Sequence, residues 1–308
     1  MKQNEVVLTI CIPTYNRQSF LNKQLIFFKK QIELNLNILQ RVKFIISDNA
    51  STDNTRSLLL SWDKNSVFFK YYSNEVNCGL AGNIAALLKH STTGYVWFVS
   101  DDDELKDGII EKVLDILDKF NPEFLFINYS SASNINKPGY SGAPGYHKDA
   151  KGVALKIFNE AYGSLVFMTS CVYKRENILE LNNDLMSSWI SVPLFYSFYS
   201  CSKGPIYIIG DPMVIFNSGN ASYAGIIKVL KIKFEEYVKI LERLVEFGYN
   251  RNEAYQVTKT FFKKQSHSHF LYNFVNFSKS AKYYKYYDLM TLLYLPINAF
   301  KYLFARNS

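Results

Sequence analysis

The sequence predicts an α/β protein with a mostly parallel central sheet flanked by helices, followed by a helical C-terminal region. Apolar runs of strand length alternate with helical patterns over the first 130 residues, which is typical of a parallel sheet covered by helices. The runs are apolar almost throughout, as expected of strands that are buried on both faces. From about residue 225 the pattern is helical to the end of the chain.

The strand and helix candidates follow one another in a regular order. Strand candidates of the first part lie at 6–12, 42–47, 68–73, 95–100 and 124–130. Helical patterns lie between them, at about 18–36, 54–62, 80–90 and 108–119. Beyond them come a loop at 131–150, a helix, a strand near 165–173, a helical stretch near 174–200, and short strands in "PIYIIG" and "PMVIFN". We therefore predict an α/β domain at 1–224 and a separate helical region at 225–308.

Composition bounds the class of protein. Hydrophobic residues make up 48% of the 308 residues, enough for a sizeable core. The four cysteines form no CxxC pair, and Cys11 and Cys171 lie in strand-like apolar runs, so buried free thiols and a reducing compartment are expected. The apolar run near the N-terminus is too short for a signal peptide core, and no run reaches the roughly 18 residues of a membrane span.

Charge is unevenly distributed along the chain. Residues 228–308 hold 14 Lys and Arg against 6 Asp and Glu, a net charge of +8 that equals the net charge of the whole chain. In the last thirty residues Lys alternates with Tyr, Phe and Leu, which is typical of a segment at a membrane surface. A helix packed on the domain with its Lys outward is the alternative. No nucleic-acid-binding motif accompanies this segment, so a nucleic-acid partner is not expected.

Polar clusters follow three of the predicted strands. These are "PTYNR" after the first strand, "DNASTD" after the second and "DDDE" after the fourth. In parallel sheets, ligands bind beyond the carboxyl ends of the strands. Asp48, with Asn49, can accept hydrogen bonds from a nucleobase amide or a ribose hydroxyl, whereas Ser51, Thr52 or Asp53 can cap the next helix.

Glycines near a further helix start indicate a second part of the same site. Asn77, Gly79 and Gly82 precede or open the helix at 80–90. Glycine allows close backbone approach, and a helix N-terminus favours anions. An ordinary Gly-containing turn explains the pattern equally well.

The acidic run at 101–104 predicts a metal site. Capping a helix needs one acid, and four adjacent acids repel one another. Hard divalent cations such as Mn²⁺ and Mg²⁺ take oxygen ligands and bridge carboxylates to phosphates. Three consecutive Asp residues at the exit of a central strand supply such ligands. A solvated acidic loop is the alternative.

Taken in order, "ICIPTYNR", "IISDNASTDNT", "NCGLAGN" and "FVSDDDEL" resemble the family 2 glycosyltransferases of GT-A fold, of the bacterial surface-polysaccharide type. The resemblance covers about residues 6–120, with weaker similarity as far as about residue 217. It implies a Rossmann-like GT-A domain that binds a nucleotide diphosphate sugar and moves the sugar to an acceptor. Each of the four pieces is short, and their order and spacing carry the resemblance.

The resemblance also implies roles for individual residues. Asp48 matches the family's base-binding acid. Asp102 falls where the family holds the metal ion, with Asp103 beside it, although Ser100 stands where the family usually has Asp. The residues matched to the donor site are Pro13, Thr14, Tyr15, Arg17, Asp48, Asn49, Asn77, Gly79, Gly82, Asn83 and Asp101.

The catalytic base is harder to assign. Removing the proton of the acceptor hydroxyl needs a carboxylate or a similar group. The family often places a Glu-Asp pair at the start of a helix shortly before a short strand, but counting back from "IYIIG" reaches Ser191 and Val192, which cannot serve. Asp184 is the nearest acid and is our candidate base, with a surface or capping role as the alternative. His147, in the long loop, is a second candidate.

The sequence therefore predicts a metal-dependent glycosyltransferase acting in surface polysaccharide biosynthesis, with a glycan or lipid-linked oligosaccharide as acceptor. The resemblance favours inversion at the anomeric carbon. We expect Mn²⁺ or Mg²⁺ as the cation, and a cytoplasmic protein that is peripheral on the inner face of the cell membrane. A nucleotidyltransferase is one alternative, disfavoured because "PTYNRQSF" lacks the glycine of a phosphate loop. A catalytically inactive sugar-nucleotide or glycan-binding protein is the other, because the Glu-Asp pair is missing.

Overall fold

One nine-stranded sheet organises the chain in the computed structural model, which describes residues 5–65, 68–181, 188–217, 226–275, 281–287 and 292. Its strands are β1 (Leu8–Thr14), β2 (Val42–Asp48), β3 (Phe69–Ser73), β4 (Tyr95–Phe98), β5 (Glu104–Leu105), β6 (Phe124–Ser131), β7 (Gly145–His147), β8 (Cys171–Lys174) and β9 (Ile206–Phe216). The spatial order is β3-β2-β1-β4-β8-β6-β9-β5, with β7 paired to β9. β1–β4, β6 and β9 all run in one direction, which confirms the mostly parallel sheet.

Helices cover both faces of this sheet. In the first half of the chain they are α1 (Gln18–Leu34), α2 (Ile38–Arg41), α3 (Thr55–Asn65), α4 (Gly79–His90), α5 (Ile109–Phe120) and α6 (Ala150–Glu160). Further along come α7 (Arg175–Leu179), α8 (Val192–Lys203), α9 (Ile226–Lys231), a π-helix (Ile232–Tyr237), α10 (Val238–Glu242), α11 (Arg251–Lys264) and α12 (Ser266–Val275). Short 3-10 helices lie at Met168–Ser170 and Ala281–Tyr286.

Strand β1 shows why the predicted strands are continuously apolar. All seven of its residues are buried. Successive side chains of a strand point to opposite faces, so Ile10 and Ile12 join the cluster that packs under α1, α3 and α5. Cys11 points the other way, into the cluster formed with α4, α6 and α8. The predicted burial of Cys11 and Cys171 as free thiols is confirmed.

Three expectations about the second half of the sheet are corrected. The strand expected near 165–173 is shorter, because a 3-10 turn at Met168–Ser170 precedes β8. The two short strands expected around Pro212 are one strand, β9, which pairs with β6 on both sides of a register shift between Ile127 and Tyr129. The loop at 131–150 contains the short strand β7, which pairs with the start of β9.

The helical C-terminal region shares a hydrophobic core with α6 and α8. Phe262 is fully buried and stacks against Tyr286, with ring centroids 5.3 Å apart and nearly parallel planes. The Tyr287 hydroxyl lies 2.6 Å from Nδ1 of the buried His269. Over 281–287 the aromatic side chains thus pack inward, as the packed-helix alternative requires, while nearly all of 288–308 lies outside the described residues. The division at 224/225 remains a prediction.

Within the described ranges, no helix combines the length and the apolar character needed to cross a membrane.

Candidate functional site

The strand register brings three loops together at the carboxyl edge of the sheet. β1 lies between β2 and β4 and is parallel to both, with Thr14 paired to Asp48 in register. The segments that follow these three strands are "PTYNR", "DNASTD" and "DDDE", so the sheet places all three clusters side by side, as the sequence predicts.

Two of the three consecutive aspartates are buried and held by hydroxyl groups. Thr14 Oγ1 donates to Asp101 Oδ2 at 2.7 Å, and Thr169 Oγ1 donates to Asp103 Oδ2 at 2.5 Å. Asp101 is 7% exposed and Asp103 is 5% exposed. These contacts fix the acidic loop to β1 on one side and to the turn before β8 on the other.

Burial determines the protonation of these two carboxyls. Desolvation raises the pKa of Asp101 to about 7, and the charge of Asp102 adds to the rise, while the hydrogen bond from Thr14 acts against it. Desolvation likewise raises the pKa of Asp103 to about 7, against the hydrogen bond from Thr169. Both groups therefore titrate near neutral pH when no cation is bound.

Asp102 is the more accessible member of the cluster. Its Oδ2 accepts a hydrogen bond from Arg17 at 3.1 Å, and its Oδ1 accepts one from the Ser100 hydroxyl at 2.5 Å. The Arg17 guanidinium also lies over the Phe20 ring, 5.2 Å from the centroid. Arg17 and Asp102 come from different strand ends, so the ion pair joins the first and third of the converging loops.

Gln24 and Thr169 support this cluster and were missed in the sequence. Gln24, buried on α1, donates through Nε2 to the carbonyl oxygens of Ser100 and Asp103. Thr169 accepts a hydrogen bond from the Ser100 amide at 3.0 Å. A lone Gln in an amphipathic helix and a lone Thr in a turn carry no motif, and only the tertiary contacts show their role.

A pocket of about 270 Å³ opens beside the acidic cluster, and Lys23 and Asn217 also line it.

The second cluster is organised by Asn49. Its Oδ1 accepts hydrogen bonds from Asn74 Nδ2 and from the Cys78 amide, both at 3.0 Å. Its Nδ2 donates to Asn77 Oδ1 at 2.9 Å and to the Gly79 carbonyl at 3.1 Å. Asn49 therefore ties the loop after β2 to the start of α4. Asn49 is one of the expected donor-site residues, and its role toward the donor stays a prediction.

Asp48 and Asn83 are the buried polar residues next to this network. Asp48 is 1% exposed, and its Oδ1 accepts a hydrogen bond from the Ser51 amide at 3.1 Å. Asn83 donates to the Ser47 carbonyl at 3.0 Å. Of the three residues expected to cap the next helix, α3, Asp53 makes the contact: its Oδ1 accepts a hydrogen bond from the Thr55 amide at 2.9 Å.

Left-handed backbone shapes the approach to α4 and the loop after β1. Gly79 has φ = +73°, a conformation that costs other residues energy. A Cβ on Gly82 would lie 2.7 Å from Cys78 Cβ, so the helix start needs a glycine there. Asn16, at φ = +52°, accepts a 2.7 Å hydrogen bond through Oδ1 from the Thr52 amide. Tyr15 and Arg17 lie in this loop, with Tyr15 40% exposed, whereas Pro13 is a buried residue of β1.

The residues considered for the catalytic base lie in different surroundings. Asp184 lies outside the described residues. His147 is on β7 and bonds through Nε2 with the Ala143 carbonyl, a local contact within its own loop. Ser191 lies just before α8. It is the position at which the family resemblance leads us to expect an acidic residue. Its amide and hydroxyl both donate to Oε2 of Glu236, at 2.9 and 2.7 Å, so a carboxylate reaches this position from the π-helix.

The chemistry of the acidic cluster fits a hard divalent cation. Among the described residues, no three His, Cys, Asp or Glu side chains are grouped to hold a metal ion by themselves. Mg²⁺ and similar ions are often bound by one or two carboxylates together with substrate phosphates. Asp102, the accessible acid, and Asp103 can supply carboxylate oxygen, with the remaining ligands from water and a diphosphate.

Comparison with known protein families decides the class. Residues 9–167, just over half of the chain, match the family model described as Glycosyl transferase family 2. The chain belongs to glycosyl transferase family 2. The matched range includes all three converging loops and ends two residues before Thr169. This family 2 protein is therefore a nucleotide-sugar glycosyltransferase, as the sequence predicts.

This glycosyltransferase has relatives of similar length and solved structures of similar fold. It is 28% identical over 307 residues to the Campylobacter jejuni GalNAc(5)-diNAcBac-PP-undecaprenol beta-1,3-glucosyltransferase, covering 95% of this chain and 90% of the relative. A Staphylococcus aureus TarS structure matches with a TM-score of 0.63 at 15% identity, covering 96% of this chain and 79% of that one. TarS has also been solved with UDP-GlcNAc.

A further match is the mannosyltransferase PcManGT from Pyrobaculum calidifontis, solved in complex with GDP-Man and Mn²⁺. Its TM-score is 0.56 at 14% identity, and the match covers 97% of this chain and 81% of that one. At these identities the likeness to TarS and PcManGT shows the fold, which confirms the predicted GT-A class.

Replacing Asp101 or Asp103 by Asn is expected to change the pH dependence of stability. A carboxyl whose pKa rises from 3.8 to about 7 on folding binds more protons in the folded state, so its ionisation costs stability as pH rises from about 4 to about 7. In EDTA at pH 8, each Asn variant should melt at least about 2 °C above the parent protein, the shift that about 1 kcal/mol gives. Thermal melts across this pH range measure the difference.

The exposed neighbour Glu104 provides the matched control. Glu104→Gln should leave the pH dependence of the melting temperature unchanged. A stability difference between the Asn variants and the parent that stays constant from pH 4 to pH 8 would contradict the raised pKa values.

Proposed function

We propose that this glycosyltransferase moves a sugar from a nucleotide diphosphate sugar to a lipid-linked oligosaccharide at the inner face of the cell membrane, with a divalent cation. The observation that carries the proposal is the convergence of Asp48, Arg17 and Asp102 at adjacent ends of three parallel strands. A nucleoside needs a hydrogen-bond acceptor such as Asp48, a diphosphate needs a cationic side chain such as Arg17, and a metal ion needs a carboxylate such as Asp102. All three groups must lie in one place.

The nucleoside would bind between the loops after β1 and β2. Asp48 has its Oδ1 held by the Ser51 amide, and its carboxylate can accept hydrogen bonds from a base amide or a ribose hydroxyl. The exposed Tyr15 ring at the tip of the neighbouring loop offers a flat apolar surface to the base. The network around Asn49 holds these groups in place before the donor arrives.

The diphosphate would lie beside the acidic cluster. Arg17, now paired with Asp102, can bind phosphate oxygens bidentately. Asp102 and Asp103 would hold the cation, which stabilises the negative charge that grows on the departing nucleoside diphosphate. The oxygen-rich donor set favours Mg²⁺ or Mn²⁺ over softer metals. PcManGT, of similar fold, has been solved with GDP-Man and Mn²⁺, which supports this assignment.

The acceptor class rests on the Campylobacter jejuni relative. Its name describes glucosyl transfer to a saccharide carried on undecaprenyl diphosphate. We infer a similar lipid-linked acceptor here. A screen by thermal shift with UDP-glucose, UDP-GlcNAc and GDP-mannose, with and without Mn²⁺, identifies a working donor. Release of the nucleoside diphosphate then separates an active enzyme from an inactive binding protein.

Asp102→Ala is expected to reduce release of the nucleoside diphosphate at least about 100-fold, because the charge on the leaving group loses its stabilising partner. The fold should persist, since Asp102 is not fully buried and its partners Arg17 and Ser100 are near the surface. Glu104→Ala, which removes the adjacent exposed acid, should keep most activity. Near-normal turnover of Asp102→Ala in excess EDTA would show that the metal assignment is wrong.

Asp48→Asn is expected to raise the apparent KM for the donor by about 10- to 100-fold at similar kcat, the loss of one charged hydrogen bond to a bound ligand. The Asn side chain can still accept from the Ser51 amide, so the turn should survive. Asp53→Asn serves as the control, because it weakens the cap of α3 and should lower the melting temperature without changing KM. Equal donor affinity of Asp48→Asn and parent by calorimetry would remove Asp48 from the site.

Membrane association is tested by co-sedimentation with phosphatidylglycerol vesicles. A chain ending at Tyr287 loses Lys301, Arg306 and the aromatic residues around them, and should bind about tenfold or more weakly, because each basic residue near an anionic leaflet contributes about 1 kcal/mol. Removing 279–308 instead would delete Tyr283 and Tyr287 from the core, so it does not isolate the membrane contribution. The double variant Lys301→Glu/Arg306→Glu keeps the length and should weaken binding similarly. Binding unchanged in both variants would exclude the tail as the anchor.

A further inference from the structure

Glycosyl transfer to a hydroxyl needs a group that accepts the hydroxyl proton. On the proposed function, this group must lie at the carboxyl edge of the sheet, near the acidic cluster. The three aspartates of that cluster are engaged in other contacts, and Glu104 is exposed. Asp101 accepts from Thr14, Asp103 accepts from Thr169, and Asp102 is paired with Arg17.

Glu236 is a carboxylate held with one oxygen free. Its Oε2 accepts two hydrogen bonds, from the amide and the hydroxyl of Ser191. Within the described part of the chain, Oε1 has no hydrogen-bond partner, and the side chain is half-buried. The neighbouring Glu235 is differently placed, because its Oε1 accepts from the Tyr272 hydroxyl. Ser191 therefore fixes the orientation of the Glu236 carboxylate through Oε2, and Oε1 can accept a further hydrogen bond.

The path of α8 carries Ser191 toward the ligand-binding edge. Only Gly204 and Pro205 separate the last residue of α8 from β9, whose first residue pairs with the first residue of β6 at the amino end of the sheet. Twelve residues of helix span about 18 Å, so the first turn of α8 is carried away from that end.

Contacts from the middle of α8 connect the helix to the turn that holds the acidic cluster. Ser197, two turns from Ser191, bonds through its hydroxyl with Cys171 Sγ and with the Leu165 carbonyl. Cys171 lies two residues after Thr169, which holds Asp103. The same face of the protein thus carries the acidic cluster, the turn before β8 and the start of α8.

An aromatic residue lies close in sequence to Ser191, the residue that holds Glu236. Trp189, half-buried, lies two residues before Ser191, and its carbonyl accepts from the Val192 amide. Lys239, on α10, places its ammonium group 5.5 Å from the centroid of the Trp189 ring.

We propose that Glu236 is the catalytic base of this glycosyltransferase. Its Oε1 takes the proton of the acceptor hydroxyl while that oxygen attacks the anomeric carbon of the donor sugar. The bond from the anomeric carbon to the diphosphate oxygen breaks, and the electron pair leaves with the nucleoside diphosphate. One displacement of this kind inverts the anomeric configuration. Ser191 is the positioning residue, because its two donors fix Oε2 and aim Oε1.

Glu236→Gln separates catalysis from packing. The Gln amide oxygen can still accept from Ser191, so the melting temperature and the binding of UDP-glucose, UDP-GlcNAc or GDP-mannose by calorimetry should match the parent protein. Release of the nucleoside diphosphate, with water or an oligosaccharide as acceptor, should fall by about 100- to 10,000-fold. Glu235→Gln, the matched control in the same π-helix turn, should keep turnover within threefold.

A chemical rescue distinguishes a base from a structural carboxylate. Azide carries no proton to remove, so adding azide to Glu236→Ala should restore release of the nucleoside diphosphate and form a glycosyl azide. Glu236→Asp should recover part of the parent activity.

The outcomes separate two failures. If the parent protein turns over a donor and Glu236→Gln keeps turnover within threefold, the assignment of Glu236 is wrong and the proposed function stands. Equal losses in Glu236→Gln and Glu235→Gln, or no azide rescue of a folded Glu236→Ala, also overturn it. No turnover of any of the three donors by the parent would overturn the proposed function itself, and this assignment with it.

Discussion

The in-register parallel pairing of β1 with β2 and β4 is the constraint on which the site depends. Backbone hydrogen bonds align the three strands so that they end at the same edge, with Thr14 opposite Asp48. Apolar side chains on both faces of each strand hold this alignment by burial between two layers of helices. Polar residues that are far apart in sequence therefore meet without any need for long side chains to reach across a gap.

The same burial that stabilises the sheet imposes a free-energy cost on ionising the carboxyl groups of the acidic loop. Asp101 and Asp103 are almost removed from water, and each keeps a hydroxyl donor, Thr14 or Thr169, in partial compensation. The pKa of each group rises to about 7 as a result. A bound cation would lower the cost of ionising them, so a site that is unfavourable when empty is suited to a divalent ion carried in with a diphosphate.

The helical C-terminal region is part of the core, and the proposed base Glu236 belongs to it. Its aromatic residues pack on α6 and α8 around Phe262, and this packing sets the position of the π-helix. From that helix Glu236 reaches the start of α8 and binds Ser191 through two hydrogen bonds. π-Helical turns are frequent at functional sites, because the wider turn redirects side chains. The C-terminal region, which the sequence predicts as a separate unit, thus places a carboxylate at the start of α8.

The sequence by itself determined the alternation of strands and helices, the three strand-end clusters and the family resemblance. The periodicity of apolar residues and the polar residues that follow a strand are local properties, so each can be read within one short segment of the chain. It also located Asp48, Arg17 and Asp102, which the sheet brings together. Only the tertiary structure revealed Gln24, Thr169 and Glu236, whose roles depend on contacts between residues more than forty positions apart. The single β9 and the shortened β8 were likewise decided by pairing with β6, because a strand's length depends on the partner that satisfies its backbone hydrogen bonds.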